Sequence, residues 1–559
     1  MSINTQTVWK AQGTELTMNG KPIFLKGVCY SPTPWSFGNH PNRIGDWFDN
    51  TCEILWSPGA KQRGDLKVMR SGGLNHLRTY FWWEWWWPAP DFMKPLPPPM
   101  DEWVRKEGWK GQWNNKPWPR FDHTRFLDCC YNNGNNPIYV MIGLPVNSSQ
   151  IYAPNDLAIH YKQLYVDTAR SIGLLYGTHP AVMGLCVGNE QNQPGPERNG
   201  NPRFWDDLGE MAQAFKQNAP DKVTMVALQN DPALFDTQVG NKTVKQVFKE
   251  KFQIYGLNIY GDPSGSLQNF KAKVVEADGG KYACPLIVSE WGVGGGKNTE
   301  NPRYQDWITQ AKPKKPDGTQ PGPLEGPPFG MANASEFTPD EFNQKTTDLT
   351  NYLKAILKAR DFVVGAEYFS WSDEWWKNAT DDAIIAKIKS GELPLDKWGR
   401  YEEPDTGYLK FPTYLNKHEA SGSPDWPEEW WGLCSIDPKG GGTTWPNGIL
   451  TNPDNLKFRP TWTALQAAYA SLDEKLFIAN LHPWDAGIRL VPQGGNAISR
   501  RVGPDSFVEV SASEVGSLPW AVGSPTAPEK INSLPAILAL SGGLTAVLYP
   551  TTAVLYPTT

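Results

Sequence analysis

Short apolar runs recur between residues 24 and 371, and helix-compatible or loop-rich segments separate them. Near-continuous apolar strands are typical of parallel sheets buried on both faces. Eight of them, alternating with helical segments, predict an α/β fold with a closed (β/α)8 TIM barrel. The runs are FLKGVCY (24–30), LNHLRTYFW (74–82), PIYVMIGL (137–144), VMGLCVGNE (182–190), VTMVAL (223–228), FQIYGLNIYG (252–261), PLIVSEWG (285–292) and FVVGAEYFSW (362–371).

A doubly wound open sheet is the alternative arrangement of repeated β–α units. It would need a glycine-rich phosphate loop after the first strand, and the chain has none there. GVGGGKN at 292–298 lacks the glycine spacing and the Ser/Thr of a P-loop, so we interpret it as an ordinary loop.

The pattern also predicts what flanks the barrel. Residues 7–30 alternate around Asn19-Gly20, a favoured hairpin turn. Two insertions rich in Pro, Gly and Trp, at 83–120 and 293–345, follow strands, where barrel loops form cleft walls. We therefore predict a barrel domain with an N-terminal hairpin over residues 1–475, and a small β-rich region over 476–559.

The charge and residue composition of the chain limit the kinds of binding partner and cofactor that we predict. The net charge is −6 with both signs scattered, which disfavours a nucleic acid or an anionic membrane as a partner. Seven cysteines without C-x-x-C spacing and no His pair at i, i+4 predict neither a metal nor another cofactor. No apolar signal segment opens the chain, so the location is open between the cytoplasm and secretion after removal of a signal. The oligomeric state is not predicted.

The 27 tryptophans exceed what a core needs, and many stand among loop residues. One interpretation is that their rings brace long loops. The other, which we favour for at least one cluster, is a carbohydrate cleft, because the C–H faces of sugars stack on indole rings. The clusters are WWEWWWPAP at 82–90, WKGQWNNKPWP at 109–119, WSDEWW at 371–376 and PDWPEEWWG at 424–432.

Two glutamates end apolar strands. Glu190 ends the fourth predicted strand and Glu290 the seventh, so both are expected at the same mouth of the barrel. A single such glutamate is more often a structural ion-pair residue. Two carboxylates across a cleft, one protonated and one ionised, are the requirement for glycoside hydrolysis.

These motifs resemble those of the clan-A retaining glycoside hydrolases over roughly residues 15–475. Asn-Glu after strand four and Glu after strand seven are that clan's hallmark, and NGKPIFLKGV is similar to the start of the β-galactosidase/β-glucuronidase barrel. The resemblance implies an acid/base role for Glu190 and a nucleophilic role for Glu290. It also implies sugar-site or supporting roles for Asn189, Arg78, Tyr260 and Trp371. Trp291, next to Glu290 in SEWG, and Asp373, in WSDEWW, are further candidate substrate-binding residues.

The same strand order is similar to that of β-1,3-glucanosyltransferases, although their paired cysteines and anchors are not evident here. The predicted function is therefore a retaining β-glycosidase acting on β-linked, glucan-like oligo- or polysaccharides, with transglycosylation left open. The alternative is a non-catalytic carbohydrate-binding protein on a TIM barrel. Asp373, Glu374 and Glu84 are expected either to bind sugar hydroxyls or to face solvent, whereas His76 and His123 are expected to be structural.

Overall fold

The computed structural model describes most of the chain between residues 7 and 473 and the strands beyond it. The structure describes ten longer stretches and, between them, several short strand pairs and single residues. The longer stretches are 7–33, 47–59, 63–82, 122–146, 158–192, 196–294, 338–374, 390–394, 431–437 and 455–473.

Eight strands form a closed barrel, and every neighbouring pair is parallel. This confirms the predicted (β/α)8 fold. Seven strands lie inside one of the apolar runs, and the fifth strand extends one residue beyond its run, to Gln229. A strand covered on both faces must be apolar on both. The strands are β1 (Leu25–Cys29), β2 (His76–Arg78), β3 (Tyr139–Leu144), β4 (Val182–Asn189), β5 (Val223–Gln229), β6 (Ile254–Asn258), β7 (Leu286–Trp291) and β8 (Val363–Tyr368).

Helices connect the strands and begin at recognisable caps. Thr338 and Glu341 form a reciprocal capping box at the start of the helix before β8, and Asn201 caps the helix that begins at Pro202. The α-helices are Glu53–Trp56, Asp65–Ser71, Thr124–Tyr131, Ala158–Tyr176, Pro196–Asn199, Pro202–Lys216, Val244–Lys251, Ser264–Phe270, Pro339–Lys358 and Pro460–Asp473. Shorter turns of 3-10 or π-helix are Asn50–Cys52, Asn132–Gly134, Leu234–Asp236, Lys271–Val275 and Ala277–Gly280.

The predicted N-terminal hairpin is present as part of a three-stranded antiparallel sheet that turns at Asn19-Gly20. Its Trp9 is 2% exposed and packs edge-on against Tyr139 of β3, with the ring centroids 5.0 Å apart. The sheet therefore packs on the apolar cluster inside the barrel. Its strands are Trp9–Gln12, Glu15–Met18 and Lys21–Pro22.

Two-stranded sheets occur in the loops. Their strands are Gln112–Trp113 with Lys116–Pro117, Gln238–Val239 with Lys242–Thr243, Gly296–Lys297 with Ser335–Glu336, Tyr401–Glu402 with Leu409–Lys410, and Cys434–Asp437 with Asn455–Phe458. Most of both predicted insertions, including Glu84 and most of the tryptophan clusters, lies outside the described residues. No helix in the described part of the chain is long and apolar enough to cross a membrane.

The chain divides into two compact units, Met1–Trp462 and Thr463–Thr559. The second unit is rich in strands, and two tandem TAVLYPT copies at 545–558 pair with each other as an antiparallel hairpin. One sheet has the strands Ser506–Ser511, Lys475–Asn480, Thr552–Pro557, Leu544–Tyr549 and Ala536–Leu540 in that order. The other has Ile498–Val502, Ala486–Pro492, Trp520–Ser524 and Ala527–Ile531.

Candidate active site

Glu290, near the end of β7, is 4% exposed and accepts hydrogen bonds on both carboxylate oxygens. The Tyr80 hydroxyl donates to Oε1 at 2.6 Å, and the Tyr260 hydroxyl donates to Oε2 at 2.6 Å. Arg78 Nη1 lies 3.4 Å from Oε1. Donors at the end of β2 and just after β2 and β6 therefore hold the carboxylate in one orientation.

Two of these donors keep their protons. Burial, together with the neighbouring Cys29 and Glu290 groups, raises the pKa of the Tyr80 hydroxyl well above its ordinary value. Burial opposes the charge of Arg78, but Tyr80, Cys186 and the carboxylates outweigh it, so the pKa of the guanidinium is raised. Tyr80 is therefore a neutral hydrogen-bond donor, and Arg78 is a fixed cation, 1% exposed.

Glu190 directly follows β4 and has a left-handed backbone, with φ of 48°. Non-glycine residues rarely adopt this conformation, and such strain clusters at functional sites. Asn258 Nδ2 donates to Glu190 Oε1 at 2.9 Å and to Asn189 Oδ1 at 3.1 Å. The Ser289 hydroxyl donates to Asn258 Oδ1 at 2.8 Å, which fixes the orientation of the amide.

Arg78 joins the two glutamates in one network. Its Nη2 donates to Asn189 Oδ1 at 2.7 Å, and its Nη1 donates to the Ser289 carbonyl at 2.8 Å. The Asn258 amide donates to both Asn189 and Glu190, and the Arg78 guanidinium also contacts Glu290. The structure thus brings five of the eight predicted site residues together, namely Asn189, Glu190, Glu290, Arg78 and Tyr260.

Aromatic rings surround the Glu290 tyrosines. Phe369 packs edge-on against Tyr80 and Tyr260, with centroid distances of 6.1 and 6.4 Å. Trp431 packs edge-on against Tyr260 at 4.9 Å. These rings, with Cys29, form one apolar cluster beside the carboxylate.

The structure places the two predicted tryptophans in packed positions. Trp371 is 1% exposed, and its ring lies against Phe458 and Trp462 at centroid distances of 5.7 and 5.3 Å. Trp291 is also 1% exposed and packs on Tyr368 at 5.4 Å. Of the aromatic residues after β8, Phe369 rather than Trp371 contacts the tyrosines around Glu290. Trp371 instead packs against Phe458 and Trp462, just before and at the start of the Pro460–Asp473 helix.

Asp373 differs from the expectation of a sugar ligand. Both of its oxygens accept from Arg459, Oδ1 from Nη1 at 2.7 Å and Oδ2 from Nη2 at 2.8 Å, and Oδ1 also accepts from the Gly432 amide at 3.1 Å. The side chain is buried, so this bidentate pair occupies its acceptors. Glu374, expected to bind sugar or face solvent, is 3% exposed.

The two histidines predicted to be structural are both fully buried. His123 stacks on Trp82 with ring centroids 4.2 Å apart. His76 Nε2 lies 2.8 Å from Glu367 Oε1. No group of His, Cys, Asp and Glu residues within the described part of the chain is arranged to hold a metal ion.

Sequence reasoning missed Tyr80, Asn258, Glu367 and Phe369. Tyr80 stands two positions after Arg78, and Asn258 stands two positions before Tyr260. Alternate residues of a strand face the same side, so the period of two was the available signal. For Glu367 the signal was a carboxylate inside the otherwise apolar run VVGAEYF.

No family model matches the chain, and no curated protein matches it. Among solved structures, the chain is similar to a GH2 β-galacturonidase from Eisenbergiella tayi. The sequence identity is 13%, the match covers 83% of this chain and 54% of that chain, and the TM-score is 0.41. It is also similar to the β-D-glucuronidase of Dictyoglomus thermophilum, at 12% identity over 83% of this chain and 53% of that chain, with a TM-score of 0.41. A β-glucuronidase of Bacteroides uniformis matches at 12% identity over 98% of this chain and 47% of that chain, with a TM-score of 0.41. The chain spans about half the length of these structures.

Proposed function

We propose that this protein is a retaining β-glycosidase that works by double displacement. The observation that carries the proposal is the network in which Arg78 and Asn258 connect Glu190, after β4, to Glu290, on β7. A pair of carboxylates flanking one cleft is what both steps of glycosyl transfer need.

In the first step, the Glu290 carboxylate attacks the anomeric carbon while the bond to the leaving oxygen breaks. Glu190 transfers its proton to that oxygen. The hydrogen bonds from Tyr80 and Tyr260 hold the attacking group in place, which lowers the entropic barrier to attack.

In the second step, Glu190 takes a proton from water, whose oxygen attacks the anomeric carbon and frees Glu290 as a carboxylate. Asn189 Oδ1 accepts from Arg78 and Asn258. We assign the Asn189 amide donors, for which the described residues offer no acceptor, to the sugar 2-hydroxyl. A sugar hydroxyl that replaces water gives transglycosylation, so the same site supports both outcomes.

We propose β-linked, glucan-like oligo- or polysaccharide as the substrate class. The aromatic cluster of Phe369 and Trp431 beside the tyrosines favours a ligand with apolar C–H faces and a polar rim. The 27 tryptophans of the chain point to the same chemistry.

A panel of nitrophenyl β-glycosides and β-linked oligosaccharides tests the proposal, with β-glucosides and β-glucuronides included. Proton NMR of the first product should show the β-anomer, as retention requires. We expect Glu290→Gln to lower kcat by about 10⁴-fold or more on every substrate. Glu190→Gln should affect activated aryl glycosides much less than oligosaccharides, because good leaving groups need little protonation.

Inversion of the anomeric centre, or equal loss on both substrate types for the Glu190 variant, would contradict the assigned roles. Binding of oligosaccharides without any turnover would instead support a non-catalytic carbohydrate-binding protein. Asp65→Asn is a suitable control, because this buried carboxylate pairs with Arg63 and Tyr30 and makes none of the contacts of the two glutamates.

A further inference from the structure

Arg78 faces two buried carboxylates. Glu290 Oε1 lies 3.4 Å from its Nη1, and Glu367 Oε2 lies 3.9 Å from its Nε. Glu367 is 0% exposed, and neither its Oε2 nor Arg78 Nε has a hydrogen-bond partner among the described residues. Arg78 and Glu367 therefore form an ion pair at 3.9 Å without a hydrogen bond between these two atoms.

Glu367 is held from its other oxygen. His76 Nε2 lies 2.8 Å from Glu367 Oε1, and His76 Nδ1 has no hydrogen-bond partner among the described residues. A ring whose second nitrogen faces no acceptor offers one N–H to the carboxylate. His76 thus fixes one oxygen of Glu367, and the other oxygen faces Arg78.

The barrel register explains how His76 and Glu367 meet. Gly27 of β1 pairs with Glu367 on β8 and with His76 on β2, so the three residues form one row across adjacent strands. A Cβ at Gly27 would lie 2.9 Å from His76 Cδ2 and 3.0 Å from Glu367 Cγ. The absence of a side chain at Gly27 is what lets the two side chains approach each other across β1.

We propose that Glu367 is a positioning residue that acts on the nucleophile through Arg78, an inference that rests on the proposed function. Because Glu367 and Glu290 both interact with the Arg78 guanidinium, Arg78 orients the nucleophile without forming an exclusive ion pair with it. When Glu290 becomes an ester in the covalent intermediate, Glu367 remains as the counter-ion of the buried Arg78.

Several groups surround Glu290, and Glu367 reaches it indirectly. Arg78 faces it from the end of β2 and Cys29 from the end of β1, and the two tyrosines stand two residues after β2 and β6. Glu367 lies on β8 against the Nε side of Arg78. Removing the Glu367 charge leaves Arg78 with Glu290 alone, which strengthens their attraction.

The first test is the pH profile of kcat/KM for Glu367→Gln, a variant that keeps an oxygen for His76. We expect the acid limb to move to lower pH by about one unit, because the variant removes a buried negative charge from the surroundings of Arg78. We also expect kcat to fall on the order of tenfold with little change in KM. A purely structural role would lower the amount of folded enzyme without moving the limb.

Asp65→Asn is the matched control, because Asp65 is also fully buried and paired with an arginine. It should lower Tm and leave the acid limb in place. If the wild-type enzyme turns over substrate and Glu367→Gln leaves the limb unmoved, the inference fails while the proposed function stands.

A second test needs no activity. Tm is measured for Glu367→Gln, Glu290→Gln and the double variant, because losing both carboxylates leaves Arg78 buried without a counter-ion. The double variant should lose more Tm than the sum of the single losses, whereas Glu290→Gln with Asp65→Asn should be additive. Additive losses for the Glu367–Glu290 pair overturn the inference whether or not glycosidase activity is found.

Discussion

Tyr80 donates a hydrogen bond of 2.6 Å to Glu290 Oε1, and the two residues lie 210 positions apart in the chain. Tyr260 makes the equivalent 2.6 Å bond to the other oxygen. The two phenols thus hold the carboxylate from β2 and β6, and the Arg78 guanidinium lies 4.5 Å from the centre of the Tyr80 ring.

Removal of either phenol should weaken the nucleophile. We expect Tyr80→Phe and Tyr260→Phe each to lower kcat roughly 10- to 100-fold, because a hydrogen bond to a charged group is worth about 1.5–3 kcal/mol. Steady-state kinetics on an aryl β-glycoside measures the loss. Tyr30→Phe, which removes a 2.9 Å bond to Asp65, is the control and should affect stability only. Equal kinetics for Tyr80→Phe and wild type would contradict this role.

Asn258 should matter for the acid step. Asn258→Ala removes the 2.9 Å bond to Glu190 and the 3.1 Å bond to Asn189. We expect kcat on an unactivated disaccharide to fall roughly tenfold or more. The loss should be smaller on a dinitrophenyl glycoside, whose leaving group needs little protonation. The same loss on both substrates would show that Asn258 does not act through Glu190.

Gly27 should tolerate no side chain. The Cβ of Gly27→Ala would lie within about 3 Å of His76, Glu367 and the Ala366 carbonyl, and overpacking of this kind costs about 1–3 kcal/mol. Denaturant unfolding measures the loss. Gly265→Ala is the control, since no atom of the described residues lies within 4 Å of a Cβ at this position, which stands in the Ser264–Phe270 helix. This variant should gain about 0.5–1 kcal/mol. Similar stabilities for the two variants would contradict the close approach at Gly27.

Lys222 should make stability depend on pH. Its Nζ is buried against Thr7 and the His179 carbonyl, and burial lowers the pKa of the amine to about 7, although Asp221 partly opposes the shift. Above pH 7 the unfolded chain therefore binds more protons than the folded one, so stability rises with pH. The Lys222 contribution to the unfolding free energy should grow by about 2 kcal/mol from about pH 7 to about pH 9.

Denaturant unfolding of wild type and Lys222→Met across this range isolates that contribution. The variant should lack the part of the pH slope that Lys222 supplies. Lys242→Met, at a lysine paired with Glu250 on the surface, should keep the wild-type slope. Parallel slopes for wild type and Lys222→Met would contradict a neutral Lys222 at high pH.

The chain's hydrophobic pattern by itself determined the barrel. Each run that is apolar on both faces became a barrel strand, because only a sheet covered on both sides accommodates it. The order of strands along the chain was enough to place Glu190 after β4 and Glu290 at the end of β7. Arg78 and Tyr260 were predicted only from the resemblance of LRTY and LNIYG to motifs of the glycoside hydrolases.

The tertiary structure alone decided which side chains meet. Asp373 pairs with Arg459, 86 positions away, and His76 meets Glu367, 291 positions away. Neither contact leaves a periodic signal in the sequence. Strand register and the close approach at Gly27 set the distance between His76 and Glu367. Packing likewise buried Trp371 and placed Phe369 against the tyrosines around Glu290. Local patterns determine which residues end strands, and long-range packing determines what each of those residues contacts.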